Sequence, residues 1–172
     1  GIPIGEGGTT TKNLHNFSVK CQSLRWVIID EISMVSALLL GRLEKLMTKV
    51  ARRRCIYRCR PDRSRRPFGG VNMLLCGDFF QLKPVRGLSL YDNWADASTE
   101  VEYDGMKLLW GIPKKEAVHR CWNLKESLRC SDPWYHEFLN RCRHGNLTCR
   151  FHQLIHGFPT SMAITAEEEY SN

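Results

Sequence analysis

The tightest constraint on this chain lies between residues 24 and 78, where the hydrophobic period changes twice. Leu24-Arg25-Trp26-Val27-Ile28-Ile29 is a short run of mostly β-branched and aromatic side chains, closed by Asp30-Glu31. Continuous apolar runs of this length read as strands buried on both faces, the pattern of parallel sheets. From Ser33 the period becomes helical. Val35, Leu39, Leu43, Leu46 and Val50 recur at three- and four-residue steps, which predicts a helix capped by Ser33 and running to Arg54. The basic residues at its far end suit the negative pole of the helix dipole. A second apolar run, Val71-Asn72-Met73-Leu74-Leu75-Cys76, ends at Gly77-Asp78. Strand, helix and strand at this spacing predict a βαβ unit with parallel strands and a right-handed crossover, and therefore an α/β fold.

In parallel α/β sheets, ligands bind outside the carboxyl ends of the strands. Both acidic closings, Asp30-Glu31 and Gly77-Asp78, fall on that edge. Neighbouring or next-but-one strands would bring them within roughly 5–10 Å of each other. Adjacent acids there suit nucleotide hydrolysis, one carboxylate holding Mg²⁺ and the next polarising the attacking water. The same pair also suits a simpler role, closing the strand and favouring the start of the helix behind it.

Composition narrows the class. The 172 residues are 42% hydrophobic and 25% charged with a formal charge of +7, the mix of a globular domain with a sizeable core. No apolar run approaches the ~20 residues that would cross a bilayer, so no membrane partner is expected. The chain opens Gly-Ile-Pro-Ile-Gly without a basic-then-apolar leader, which reads as a partial reading frame with no legible targeting signal. Positive charge is local, because nine basic residues and one acid lie between Lys49 and Arg66. A phosphate-contacting surface and a solvated loop both accommodate such a run. Of the eight cysteines none forms a C-x-x-C pair, and Cys130, Cys142, His144, Cys149 and His152 lack paired zinc-ligand spacing, so reduced thiols are expected.

The remaining segments are read more coarsely. Residues 1–20 read as a Gly- and Thr-rich loop leading into a short segment around Leu14 to Val19, and residues 85–120 give no clear pattern. Residues 131–145 predict a helix capped by Ser131 or Asp132, with Pro133 in its first turn and Gly145 as its stop. Trp110, Trp122 and Trp134 are expected as core or domain-interface anchors. Glu167-Glu168-Glu169 is expected to be a solvated tail.

Two stretches are more specific than their acids. Trp26-Val27-Ile28-Ile29-Asp30-Glu31-Ile32-Ser33-Met34-Val35 resembles the Walker B motif of superfamily-one helicases. Pro67-Phe68-Gly69-Gly70 followed by Gly77-Asp78-Phe79-Phe80-Gln81-Leu82-Lys83-Pro84-Val85 resembles the next motif of the PIF-type (petite integration frequency) DNA helicases, relatives of the RecD group. The likeness extends to Leu124-Lys125-Glu126-Ser127-Leu128-Arg129, Asp132, Phe138 to Gly145, and His156-Gly157-Phe158-Pro159-Thr160. Leu14-His15-Asn16-Phe17 is similar to an element that touches single-stranded DNA, with Asn13 where that element has Thr.

The resemblance implies a RecA-like P-loop NTPase fold with a parallel sheet. It divides the chain into a partial first motor domain, residues 1–115, and the start of a second, residues 116–172. It implies ATP and Mg²⁺ as cofactors, with Asp30 holding the metal and Glu31 acting as general base. Gln81 would sense the γ-phosphate, Arg129 would act as an arginine finger, and His15 would contact single-stranded DNA. DNA, single-stranded and at duplex junctions, is the implied partner, unwound with 5′-to-3′ polarity in repair, recombination and telomere maintenance. A nuclear or mitochondrial location is implied. Other readings are a transposon-derived nucleic-acid-binding module without catalysis and, more weakly, a zinc-dependent interaction domain. A P-loop of the form G-x-x-x-x-G-K-[ST] is absent from these residues, as is any Gly-Lys dipeptide. The isolated chain is therefore expected to hydrolyse little or no ATP. Robust DNA-stimulated turnover by the purified chain, abolished by Glu31→Gln, would overturn that expectation.

Overall fold

The structure is a computed structural model that describes residues 11–21, 23–51, 58–111, 118–126, 128 and 131–156, the side chains of 11–14, 20, 51 and 154–156 excepted. Strands β1 (Trp26–Ile29) and β2 (Asn72–Leu75) pair in parallel, with Trp26 opposite Asn72 and Ile29 opposite Leu75. Helix α2 (Ala37–Ala51) lies between them in sequence, as the alternation of periods predicts. Val27, Ile29, Met73 and Leu75 pack against the core, while Trp26 and Ile28 on the other face are 61% and 67% exposed. Burial of the strands on both faces was the expectation, and the structure corrects it. A continuous apolar run shows that both faces are apolar; among the described residues only one is covered.

The exit from β1 also departs from expectation. Ile32–Met34 form one 3₁₀ turn, Val35 is extended, and α2 begins only at Ala37. Ser33 does not cap the helix, because it is buried with its hydroxyl unpaired among the described residues. Ser36 takes the role, its Oγ accepting from the Leu39 amide at 3.2 Å. Helix α2 is described to Ala51, and residues 52–57, where its predicted end falls, lie outside the described residues.

Helix α3 (Glu100–Trp110) comes from the stretch without a clear sequence pattern. Its start is a capping box: Thr99 Oγ1 accepts from the Glu102 amide, and the Glu102 carboxylate accepts from the Thr99 amide. The same carboxylate accepts from the Ser98 hydroxyl and amide, and chiefly the Ser98 hydroxyl holds it below its usual range although Glu102 is buried. Helices α2 and α3 touch backbone to backbone. A Cβ at Gly41 would strike the Val101 carbonyl oxygen, and one at Gly105 the Ala37 carbonyl oxygen. Around this crossing Leu40, Leu43, Met47, Leu90, Met106 and Leu109 form the core, each large apolar side chain contributing about 1.5–3 kcal/mol by its burial.

Two further pieces close this unit. Helix α1 (Thr11–Cys21) occupies part of the expected loop and anchors on the core through Phe17. The Pro67–Gly70 turn buries Phe68 at a positive φ of 53°, and the Gly69 amide donates to Thr48 Oγ1 on α2 at 3.1 Å. That explains the Pro-Phe-Gly-Gly wording: an apolar plug followed by residues that tolerate positive φ.

The chain divides into two compact units, Gly1–Cys121 and Trp122–Asn172. In the second, α4 (Pro133–His144) is capped by Asp132, whose Oδ1 accepts from the Trp134 and Tyr135 amides, and it ends at Gly145 in the left-handed region. Helix α5 (Cys149–His156) brings Phe151 against Trp134 and Phe138, with ring centroids 5.3 and 5.6 Å away. Trp110, Trp122 and Trp134 are 52%, 69% and 40% exposed, so none of the three is buried in a core. Replacing Gly105 by Ala is expected to lower the stability of the chain by about 1–3 kcal/mol, because a methyl must be forced between two backbones. Urea unfolding checks it.

Candidate active site

The two strand ends remain joined beyond their last paired residues. The Cys76 amide donates to the Ile29 carbonyl at 2.8 Å, and the Ile32 amide donates to the Cys76 carbonyl at 2.9 Å. Asp30-Glu31 and Gly77-Asp78 therefore leave the carboxyl edge of the sheet side by side. Glu31 turns the chain through the left-handed region, φ 52° and ψ 50°, a conformation that costs a non-glycine residue about 1–2 kcal/mol. Asp30 Oδ1 accepts from the Glu31 amide at 3.0 Å and so supports that bend. Gly77 is required for a separate reason. At φ 150° a Cβ there would lie 2.7 Å from the Ile32 amide nitrogen, so a side chain would push the two strand ends apart.

From Gly77 the chain enters a braced loop. Asp78 Oδ1 accepts from the Phe80 amide at 3.1 Å, and the Asp78 carbonyl accepts from the Gln81 amide at 3.0 Å. Phe79 packs with Tyr91 and Trp110, at centroid distances of 5.3 and 5.8 Å. The Trp110 indole N–H donates to the Leu90 carbonyl. Further along, Lys83 Nζ donates to Asp92 Oδ1 at 2.8 Å and lies 5.2 Å from the Tyr91 ring centroid. The second Asp92 oxygen accepts from the Ser89 amide. Hydrogen bonds from Lys83 and then from Ser89 hold the Asp92 carboxyl below its usual range, and Asp92 in turn raises the Lys83 ammonium. The loop docks on the start of α2, where the Ala37 amide donates to the Leu88 carbonyl at 2.8 Å. Gln81 is exposed between these anchor points.

Asp30, Glu31 and Gln81 are thus placed by one connected stretch of backbone. Both acids are exposed, and neither forms an ion pair with another described residue. Their hard oxygen donors suit Mg²⁺, which takes one or two carboxylates and completes its shell with water and phosphate oxygens. Among the described residues no group of three or more His, Cys, Asp or Glu could hold a metal ion unaided. His15 is exposed on α1, and no hydrogen bond or ion pair joins it to the strand-end carboxylates. Arg129 lies outside the described residues. Sequence reasoning missed the Lys83–Asp92 brace, because nothing local in the sequence signals a pair nine residues apart in a loop.

Parallel strands closed by acids on one edge, with helices packed against one face, define the α/β architecture of RecA-like motor domains. A family profile described as PIF1-like helicase matches residues 1–99, and the chain belongs to that family. It is 35% identical over 124 residues to the ATP-dependent DNA helicase PIF1 of Candida albicans, covering 72% of this chain and 12% of that protein. Among solved structures, the Pif1 helicase from Candida albicans superposes with a TM-score of 0.60 at 28% identity, covering 88% of this chain and 30% of the other. The Pif1 helicase from Bacteroides in complex with ADP-AlF3 and ssDNA has the same fold, with a TM-score of 0.52 at 21% identity over 86% of this chain and 30% of that one. The chain thus spans about an eighth of the curated relative and under a third of the solved ones.

The Lys83–Asp92 brace sets a pH window. The Asp92 carboxyl titrates below its unfolded value of about 3.9, so its contribution is complete above that value and lost as pH falls through the folded one. The Lys83 ammonium titrates above its unfolded value of about 10.4, so its contribution is complete below that value and lost as pH rises through the folded one. The loop is expected to keep one conformation from about pH 4 to pH 10. Amide NMR shifts of Gln81 and Ser89 against pH check this, with Asp92→Asn removing the acid limb of the curve.

Proposed function

We propose that this chain supplies the Walker B portion of an ATP-driven DNA helicase motor, with residues 1–115 belonging to the first motor domain and residues 116–172 opening the second. The observation that carries the reading is the backbone joint between the strand ends, which sets Asp30-Glu31 beside the Gly77–Gln81 loop. Family membership and the Candida albicans relative, an ATP-dependent DNA helicase by name, support it. So does the division into two units at Cys121 and Trp122.

In this reading Asp30 would hold Mg²⁺, largely through water, and the ion would supply neutralisation of phosphate charge. Glu31 accepts the proton of the water that attacks the γ-phosphate. It takes a left-handed backbone at the carboxyl end of β1, and no ion pair competes for its carboxylate among the described residues. Gln81, carrying both donor and acceptor on one amide, reads the presence of the γ-phosphate. The loop that bears it is anchored at Phe79 and Lys83, so a change at Gln81 is passed to the start of α2 and to α3. Arg129 supplies positive charge to the transition state, and His15 contacts the single strand. DNA repair, recombination and telomere maintenance are the processes such a motor serves, in the nucleus or mitochondrion.

The test is a chimera in which residues 11–111 of this chain replace the matching segment of the Candida albicans helicase. Single-stranded DNA is expected to stimulate ATP hydrolysis by the chimera, and Glu31→Gln to lower it by about 100-fold or more while nucleotide binding persists. Hydrolysis that survives Glu31→Gln undiminished would falsify the assignment.

A further inference from the structure

The basic run that the sequence left open has a defined shape where it is described. Cys59 and Arg65 pair antiparallel, the Arg66 amide donates to the Arg58 carbonyl at 2.9 Å, and the Arg60 amide donates to the Ser64 carbonyl at 2.9 Å. Residues 58–66 are therefore a short hairpin. Its tip is a β-turn closed by the Arg63 amide and the Arg60 carbonyl, with Pro61 and Asp62 at the centre, followed by Arg63 in the left-handed region at φ 66°. Three-residue hairpin loops commonly have this form, and the left-handed position usually belongs to glycine. An arginine there keeps a charge at the tip at a cost in backbone strain. Strained non-glycine residues cluster at functional positions.

The other groups of the hairpin are engaged in holding it. Asp62 Oδ1 accepts from the Ser64 amide at 2.9 Å and the Ser64 hydroxyl at 2.6 Å, so the single acid braces the turn. Arg60 Nη1 folds back to Ser64 Oγ and the Arg65 carbonyl. Arg66 Nη2 donates to Asn72 Oδ1 at 3.0 Å, and Asn72 Nδ2 donates to the Arg25 carbonyl at 3.1 Å, which fixes the base of the hairpin on the first residue of β2. Arg63 and Arg65 remain. Both are exposed, and neither guanidinium has a partner among the described residues. They stand at the amino edge of the sheet, whereas Asp30, Glu31 and Gln81 stand at the carboxyl edge.

We propose that the Arg58–Arg66 hairpin is a second nucleic-acid contact of this chain, taking the backbone phosphates of DNA on the Arg63 and Arg65 guanidiniums at the sheet edge opposite the candidate active site. The guanidinium fork matches a phosphate in two hydrogen bonds. Between Arg58 and Arg66 the hairpin has no aromatic or large aliphatic side chain, only Cys59 and Pro61, which argues against a lipid surface, where a broad apolar face inserts beside the charges. Backbone contacts of this kind position a nucleic acid without reading its sequence. The choice of DNA as the polyanion rests on the helicase reading above; the geometry of the hairpin does not.

The test uses the purified 172-residue chain and two labelled probes, a single-stranded oligonucleotide and a duplex with a single-stranded tail, titrated at several salt concentrations. Arg63→Gly combined with Arg65→Ser is expected to flatten the plot of log affinity against log salt by about 1.4 for the single strand, ~0.7 for each lost phosphate contact. Arg63→Lys with Arg65→Lys is expected to keep the original slope. Because glycine suits the left-handed position, Arg63→Gly alone is expected to leave the unfolding midpoint unchanged or raised, which separates lost contact from lost fold. An unchanged slope in the Gly/Ser variant overturns the proposal. So does a parent chain that binds neither probe, or that binds phosphatidylserine vesicles instead. A flattened slope together with a chimera indifferent to Glu31→Gln would keep the hairpin and remove the helicase reading. An unchanged slope with Glu31-dependent hydrolysis would do the reverse.

Discussion

Everything in the first unit hangs on the contact between two helix backbones. Ala37 and Gly41 on α2 meet Val101 and Gly105 on α3 so closely that a methyl group at either glycine would strike a carbonyl oxygen. Small residues four apart on a helix lie on one face, so each helix offers the other a shallow groove rather than a ridge. Around that contact Leu40, Leu43, Met47, Met106 and Leu109 are buried in one core cluster. The contact also fixes Ala37, the residue to which the returning loop is tied through Leu88. The placement of Gln81 is thus inherited, step by step, from a helix crossing held chiefly by close packing, with one exposed ion pair, Lys45 to Asp104 at 3.8 Å, at its side.

Much of this was legible in local sequence, and what was missed has a common cause. The parallel pair and its connecting helix announce themselves because apolar runs and three-four spacing are local signals. The start of α2 was misplaced by three residues because two serines compete for one role. Ser33 is closer to the strand, but the left-handed bend at Glu31 carries it into the core, and Ser36 is the one left facing the first turn. Helix α3 had a readable signal, Thr99 followed three residues later by Glu102, yet it sits in a stretch dominated by loop contacts to distant residues. Within the candidate site, the acids and Gln81 could be named from their wording. The brace that anchors the Gln81 loop could not, because Phe79, Tyr91, Trp110, Lys83 and Asp92 meet only through tertiary packing.

The two edges of the sheet are built on different principles. At the carboxyl edge the backbone is tight and the charged groups are negative, with Asp30 and Glu31 held out beside a glycine that admits no side chain. At the amino edge one hairpin gathers positive charge, and its single acid is engaged internally. The modest net charge of +7 conceals this separation. A chain can carry opposite electrostatic characters at opposite strand ends because the ~13 Å length of a four-residue strand exceeds the Debye length of ~8 Å in physiological salt.

The uncovered face of the sheet has a consequence for how such a chain behaves in solution. Trp26, Ile28 and Leu74 form an apolar strip on two strands whose outer edges carry no further partner among the described residues. Open strand edges beside apolar side chains are templates for pairing with another chain, and natural sheets usually blunt them with charge, proline or a covering element. Here Arg25 and Asp30 flank β1, and Arg66 and Asp78 lie just outside β2, so each strand is bracketed by opposite charges. Such brackets act as gatekeepers against stacking in register. The acid that closes β1 therefore serves colloidal stability whatever else it does, and a neutral residue there would cost the chain solubility even where it spared the fold.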